Sequence, residues 1–149
     1  MVGGTAYADA RGDKLHMLDS FEKYYFVIAC GGEGVSTPWA YRELDKKFGN
    51  FSKDAYTPRD VNTFREKLVG DDLSGIYNIF EEVILPERPV AKQIKDTLIN
   101  EGAICAMMSG SGPSVFGVFE NETFAQKATE SILASGYFAQ VATPVRKQL

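Results

Sequence analysis

The stretch that most constrains the fold is residues 103–119, where two strongly apolar segments flank a loop built of small residues. The segments 103–108 and 115–119 predict two neighbouring strands. The loop between them is Ser109-Gly110-Ser111-Gly112-Pro113-Ser114, which is longer than a tight hairpin needs. Because glycine carries no Cβ, the N–H groups of such a loop can approach an anion closely. The loop is therefore either a plain turn or an anion-binding site held between rigid strands.

Composition narrows the class of partner. The 149 residues are typical of one domain by size, and the net charge of −4 comes without any basic block. This argues against nucleic acid or an anionic membrane as the main partner. No apolar run is long enough to span a bilayer and no signal peptide is evident, so we expect a cytoplasmic protein.

The cysteines and the histidine do not predict a metal site. Cys30 and Cys105 each lie inside an apolar run, which predicts buried free thiols. Together with the one histidine, His16, they are too far apart in sequence to give a metal-ligand spacing. We therefore expect no metal ligand among them.

The first residues predict a short hairpin over 3–18 that turns at Arg11-Gly12-Asp13. Nothing precedes its first strand to pair with it, so we expect that the chain lacks its natural beginning. On this interpretation residues 1–20 belong to a neighbouring domain and residues 21–149 form the domain proper. The exposed edge of the hairpin could then pair with a second copy of the chain, giving a homodimer.

The remaining elements predict the fold class. Residues 24–30 form a continuous apolar run that predicts a central strand buried on both faces. Helices follow it, one of them over 73–80, and then come the strand pair, a helix over 123–135 and a strand over 138–142. Glu81 and Glu82 are expected to be exposed to solvent. This order predicts an α+β fold, a ferredoxin-like split βαβ sandwich with one antiparallel sheet and helices on one face.

A second candidate site lies where the helix after the central strand begins. Thr37 suits the N-cap, Pro38 suits the first helical position, and a helix N-terminus attracts anions. Trp39 is expected in the core, whereas Tyr41 fits the core and a stacking position against a planar base equally well. We predict that the turn before Pro38 and the turn after Met108 lie close in space and line one pocket.

These motifs resemble those of a known family. The segment Met107–Phe116 resembles the C-terminal glycine-rich motif of the GHMP kinases, which include galactokinase, homoserine kinase and mevalonate kinase. Gly34-Val35-Ser36-Thr37-Pro38 and the following Tyr41–Asp45 resemble the members that phosphorylate a cytidine-diphosphate-linked sugar alcohol. The segments 3–6 and 11–15 resemble the strand pair that precedes this region in those members. The resemblance covers essentially the whole chain.

The resemblance implies a C-terminal GHMP kinase domain over 21–149 and a hairpin, 1–20, left from an N-terminal kinase domain. It implies an enzyme that uses ATP and Mg²⁺ on the methylerythritol phosphate route to isoprenoids. Gly110, Ser111 and Gly112 would lie near the transferring phosphate and Tyr41 would stack on the cytosine ring. Ser109 and Thr37 complete the predicted substrate-binding set.

Three parts of the family pattern have no counterpart in these residues: the ATP-binding loop, the N-terminal lysine and the catalytic Asp. We therefore expect no catalytic residue, no tightly bound cofactor and little or no kinase activity in this chain alone. The missing N-terminal kinase domain is the expected partner. Two alternatives stay open, namely a stand-alone ferredoxin-like ligand-binding or regulatory module, and a GHMP kinase with a different alcohol substrate.

Overall fold

A computed structural model describes residues 5–9, 14–18, 21–49, 66–67, 72–73 and 76–145. The strands of this part are β1 (Thr5–Asp9), β2 (Lys14–Leu18), β3 (Tyr25–Cys30), β4 (Cys105–Met108), β5 (Val115–Phe119) and β6 (Phe138–Ala142). The helices are α1 (Thr37–Phe48), α2 (Glu81–Ile84), α3 (Pro89–Asn100) and α4 (Glu122–Ala134). The predicted Arg11-Gly12-Asp13 turn and residues 1–4 lie outside the described residues.

Four strands form one antiparallel sheet in the order β4-β5-β3-β6. The central strand β3 pairs through Val27 with Gly117 of β5 on one side and with Val141 of β6 on the other. Strands β1 and β2 form a separate antiparallel hairpin. The order of strands is that of a split βαβ sandwich, so the predicted ferredoxin-like α+β fold is confirmed.

The main core lies between this sheet and its helices. Every second residue of each strand points to the helical face, as the period of a strand requires. On that face Val27 and Phe119 of the sheet are fully buried against Ile94 and Leu98 of α3 and Ile132 of α4. The glycine-rich loop therefore leaves a strand pair that is anchored in the core.

The other face of the sheet is only partly covered, which makes the prediction of a central strand buried on both faces wrong. Ile28 of β3 is 47% exposed, because the helices pack on the opposite face. A smaller cluster of Tyr24, Leu73 and Val118 covers part of this second face. Beside it an apolar cavity of about 620 Å³ extends from Phe26 to the stem of the glycine-rich loop.

The expected helix over 73–80 is also wrong, because residues 76–78 have no regular structure and a turn follows at 79–80. The apolar residues of this segment divide between the two faces of the sheet instead of forming one stripe. Leu73 and Ile76 pack on the second face, whereas Phe80 packs against the main core. The side chain of Asn78 accepts the N–H of Phe80 at 3.1 Å, a local bond of the kind that competes with helix formation.

Two smaller expectations need correction. The N-cap of α1 is Ser36 and not Thr37, since the backbone of Ser36 is extended and its carbonyl accepts the N–H of Ala40. Cys30 and Cys105 are free, as predicted, but half-buried and not fully buried. Burial still raises the pKa of the Cys105 thiol, because the thiolate would lose its hydration.

Candidate functional site

The two turns singled out in the sequence meet in space, so their predicted proximity is confirmed. That they line one pocket stays a prediction, because the cavity beside the second face of the sheet is lined by Ser109 and Ser114 and not by Thr37 or Tyr41. Thr37 Oγ1 lies 2.9 Å from Ser111 Oγ, within hydrogen-bond distance although the two residues are far apart in sequence. Thr37 is the first residue of α1 and Ser111 lies at the tip of the loop between β4 and β5. This contact places the N-terminus of α1 directly beside the glycine-rich loop.

The loop has a defined internal structure. Ser109 N–H donates to the carbonyl of Ser114 at 2.8 Å, and Gly112 N–H donates to the carbonyl of Ser109 at 3.0 Å. Gly110 and Gly112 have φ angles of +55° and +77°, which residues other than glycine rarely adopt. Within the described residues, no hydrogen bond involves the N–H groups of Gly110 and Ser111. Those two donors are therefore available to a ligand.

A segment that the sequence did not single out holds the stem of this loop. The side-chain amide of Asn78 donates to the carbonyls of Met108 (2.7 Å) and Gly110 (2.8 Å). One carboxylate oxygen of Glu81 accepts the N–H of Met108 at 2.7 Å, and the other lies 2.6 Å from Lys95 Nζ. The sequence signal that could have found Asn78 is its position as a polar residue inside the apolar run from Ile76 to Phe80, since an amide that is partly buried there needs hydrogen-bond partners.

The carboxylates of α2 differ in environment, which makes the expected exposure wrong for one of them. The side chain of Glu81 is only 14% exposed and is held by the loop stem and by α3. Glu82 is 45% exposed and pairs with Lys47 of α1 at 3.0 Å. The two side chains therefore act in different places, and Glu81 alone reaches the loop.

The two aromatic residues of the first turns of α1 also differ. Trp39 packs against the main core, as predicted, and the guanidinium of Arg88 lies 5.4 Å from its ring centroid. Tyr41 is 57% exposed, so the core interpretation of this residue is wrong. Its ring meets Phe80 edge-on, with centroids 5.0 Å apart and planes at 83°. Phe80 thus connects Tyr41 to the segment that holds the loop.

The predicted site residues fall into one neighbourhood. Tyr41 lies four residues after Thr37 and therefore on the same side of α1. Thr37 contacts the loop through Ser111, and Tyr41 approaches it through Phe80 and Asn78. The arrangement combines an exposed aromatic ring, hydroxyl groups and open backbone N–H donors, a set suited to a ligand with a planar ring and an anionic group.

The described part of the chain shows no metal site and no membrane span. It contains no group of three or more His, Cys, Asp or Glu side chains that could hold a metal ion. None of its helices is long and apolar enough to cross a bilayer.

A family model described as GHMP kinases C terminal matches residues 57–137. The chain belongs to the GHMP kinase C-terminal domain family. The resemblance drawn from the loop between β4 and β5 is thereby confirmed. The proposed boundary between residues 1–20 and 21–149 stays a prediction.

Two relatives illustrate the similarity, and both are named 4-diphosphocytidyl-2-C-methyl-D-erythritol kinase. The protein of Acetivibrio thermocellus is 38% identical over 130 residues, which cover 87% of this chain and 45% of that protein. The protein of Pelobacter propionicus is 35% identical over 139 residues, which cover 93% of this chain and 47% of that protein. This GHMP kinase domain thus spans about half the length of the curated relatives it matches.

Solved structures agree with the family. A crystal structure of 4-(cytidine 5'-diphospho)-2C-methyl-D-erythritol kinase matches with a TM-score of 0.69 and 25% identity, covering 93% of this chain and 48% of that one. A homoserine kinase from Cytophaga hutchinsonii matches with a TM-score of 0.66 and 20% identity, covering 99% and 50%. At 20% identity the second likeness shows only that the two proteins share a fold.

Proposed function

We propose that this chain is the substrate-binding part of a 4-diphosphocytidyl-2-C-methyl-D-erythritol kinase. The names of the relatives support the choice of substrate. The observation that carries the proposal is the contact between Thr37 and Ser111, since it brings the exposed ring of Tyr41 to the same side of the domain as the loop.

Each predicted residue has a role in this proposal. The exposed face of Tyr41 stacks on the cytosine ring, while its edge contact with Phe80 fixes the orientation of the ring. The open N–H groups of Gly110 and Ser111 bind the phosphorylated part of the substrate, because backbone donors at a turn favour anions. The backbone hydrogen bonds of Ser109 and Gly112 hold the loop in this conformation, as does the contact of Thr37 with Ser111. The hydroxyl groups of Ser109 and Thr37 bind the sugar alcohol.

The complete reaction needs more than these residues. Phosphoryl transfer from ATP depends on positioning and charge stabilisation, and Mg²⁺ supplies much of the charge. The set formed by Thr37, Tyr41 and the loop contains no carboxylate, so we assign no Mg²⁺ ligand and no catalytic residue here. We propose that the ATP-binding part lies outside these 149 residues, that the chain alone is inactive, and that the complete enzyme works in the cytoplasm.

The proposal is tested by isothermal titration of the chain with cytidine diphosphate. Tyr41→Ala should weaken binding roughly 5- to 150-fold, because stacking on a base contributes about 1–3 kcal/mol. Tyr41→Phe should bind nearly as well as the unchanged chain. Phe124→Ala is the matched control, since Phe124 is 52% exposed on α4 and follows the opposite end of β5.

Other ligands separate the alternatives. Binding of homoserine in place of cytidine diphosphate would favour a different alcohol substrate, and binding of a common amino acid would favour a regulatory module. Robust, substrate-dependent ATP turnover by the purified chain would refute the proposed need for a separate ATP-binding part. Sedimentation analysis tests the predicted pairing of hairpin edges in a homodimer.

A further inference from the structure

The side-chain amide of Asn78 has a partner for each of its two hydrogens and for its oxygen at the stem of the loop. Both amide hydrogens have carbonyl acceptors, Met108 at 2.7 Å and Gly110 at 2.8 Å. The amide oxygen accepts the N–H of Phe80 at 3.1 Å. These partners determine the orientation of the amide, because only its nitrogen can donate to the two carbonyls.

The position of these bonds in the sheet explains why they are needed. β4 is an edge strand, so the backbone groups on its outer side have no neighbouring strand. At Met108 the N–H is bonded to Glu81 and the carbonyl to Asn78, whereas the next N–H, of Ser109, turns inward to Ser114. Side chains of the 78–81 segment therefore replace a neighbouring strand at the last residue before the loop.

The bond to Gly110 extends this support into the loop itself. When the carbonyl of Gly110 is bonded to Asn78, the peptide plane that joins Gly110 to Ser111 is fixed. The N–H of Ser111 belongs to the same peptide plane and points away from that carbonyl. Asn78 thus determines where one of the two open N–H donors is directed.

We propose that Asn78 is a positioning residue that orients the Gly110–Ser111 peptide toward the phosphate groups of the ligand. This inference rests on the proposed function, because it assigns the direction of donors to an anion that the proposal supplies. The same amide bonds the N–H of Phe80, whose ring contacts Tyr41. Asn78 therefore links the phosphate side of the site to its nucleobase side.

The test compares two identical substitutions. Asn78→Asp keeps an oxygen for the N–H of Phe80 but places a carboxylate against the carbonyls of Met108 and Gly110. Asn121→Asp is the matched control, because Asn121 caps α4 only by accepting the N–H of Thr123 at 2.8 Å, which Asp also does. Both variants change the net charge equally. Asn78→Ala, which removes the donors without adding charge, serves if Asn78→Asp does not fold.

Affinities for cytidine diphosphate and for cytidine are measured on each folded variant. Asn78→Asp should lower the affinity for cytidine diphosphate about tenfold or more and that for cytidine less than about twofold, since two hydrogen bonds to the loop are lost and the stacking ring is kept. Asn121→Asp should change neither. Partial unfolding would lower both affinities by the same factor, so an equal loss would overturn the inference, as would an unchanged affinity for cytidine diphosphate.

Amide hydrogen exchange without ligand gives a second measurement. Asn78→Asp or Asn78→Ala should speed exchange at Gly112 N–H about tenfold or more relative to Val27 N–H in the sheet, because the loop is no longer held. If the unchanged chain does not bind cytidine diphosphate, the proposed function fails and the exchange result still decides whether Asn78 positions the loop. Equal exchange at Gly112 in all variants would overturn the inference.

Discussion

The geometry of the glycine-rich loop makes a strong prediction at Gly112. Its φ angle is +77°, and a Cβ atom added there would overlap the sulfur of Met108 and lie 3.2 Å from Met108 Cγ. The side chain of Met108 is fully buried, so its sulfur can make room for a Cβ only by shifting within the packed core. Gly112→Ala therefore meets both a backbone penalty and a packing penalty.

The magnitude follows from these two penalties. A residue with a Cβ in the left-handed region costs about 1–2 kcal/mol, and inserting a methyl group into a packed site costs about 1–3 kcal/mol. Gly112→Ala should thus lower the free energy of unfolding by about 2–5 kcal/mol. Gly110→Ala is the matched control, because Gly110 has φ +55° but open space around a Cβ. It should lose only the backbone part, about 1–2 kcal/mol.

The assay is urea unfolding of both variants at pH 7, analysed by linear extrapolation with the slopes compared. We expect a larger loss for Gly112→Ala than for Gly110→Ala, by about 1–3 kcal/mol. Replacing Met108 by Ala in addition to Gly112→Ala should remove the packing part, so the double variant should be more stable than the sum of the single losses predicts. Equal losses for the two glycines would show that Met108 does not lie beneath Gly112 and would refute the loop geometry.

Three further predictions concern the surroundings of the site. Because burial raises the pKa of the Cys105 thiol, its alkylation by iodoacetamide should have a midpoint above the ordinary cysteine value of about 8.5, and a lower midpoint would contradict that burial. Hydrogen bonds from Lys127 and Ser131, both on α4, lower the pKa of the Glu101 carboxyl. These bonds stabilise the folded state fully at a pH above the unfolded-state pKa of about 4.3, and the stabilisation is lost as the pH falls through the lower folded-state pKa. Glu101→Gln should therefore have a lower free energy of unfolding than the unchanged chain at pH 7, and the two free energies should become equal in acid. Glu81→Gln should lower the free energy of unfolding in urea by about 1–3 kcal/mol, because it removes the ion pair of a side chain that is only 14% exposed. Glu82→Gln, at a side chain that is 45% exposed, should lower it by no more than about 1 kcal/mol.

The elements that the sequence predicted correctly are those in which all the regularly spaced apolar residues pack on the same core. The strand 138–142 coincides with β6, and the helix predicted over 123–135 begins and ends within one residue of α4. In both cases every second or every third to fourth residue packs on the same core, so local pattern and tertiary packing agree. The split βαβ order then left few ways to assemble the sheet.

The segment from Leu73 to Phe80 shows where this reasoning fails. Its apolar spacing is helical, but its residues serve two cores on opposite faces of the sheet. The spacing of apolar residues does not show which surface each of them packs on. Asn78 bonds the loop instead of continuing a helix because β4 lies at the edge of the sheet, where its outer backbone groups need partners. The roles of Asn78 and Glu81 were missed for the same reason.

The contact of Thr37 with the loop depends on a one-residue difference at the start of α1. If Thr37 were the N-cap, its hydroxyl would be expected to accept a backbone N–H of the first turn. Because Ser36 occupies that position, the hydroxyl of Thr37 is left to meet Ser111, and Tyr41 falls on the same side of the helix. Thr37→Ser should therefore preserve binding of cytidine diphosphate, whereas Thr37→Val, with the same shape and no hydroxyl, should weaken it about 2- to 10-fold for one lost hydrogen bond. Equal affinities for the two variants would mean that the contact between α1 and the loop does not contribute to the site.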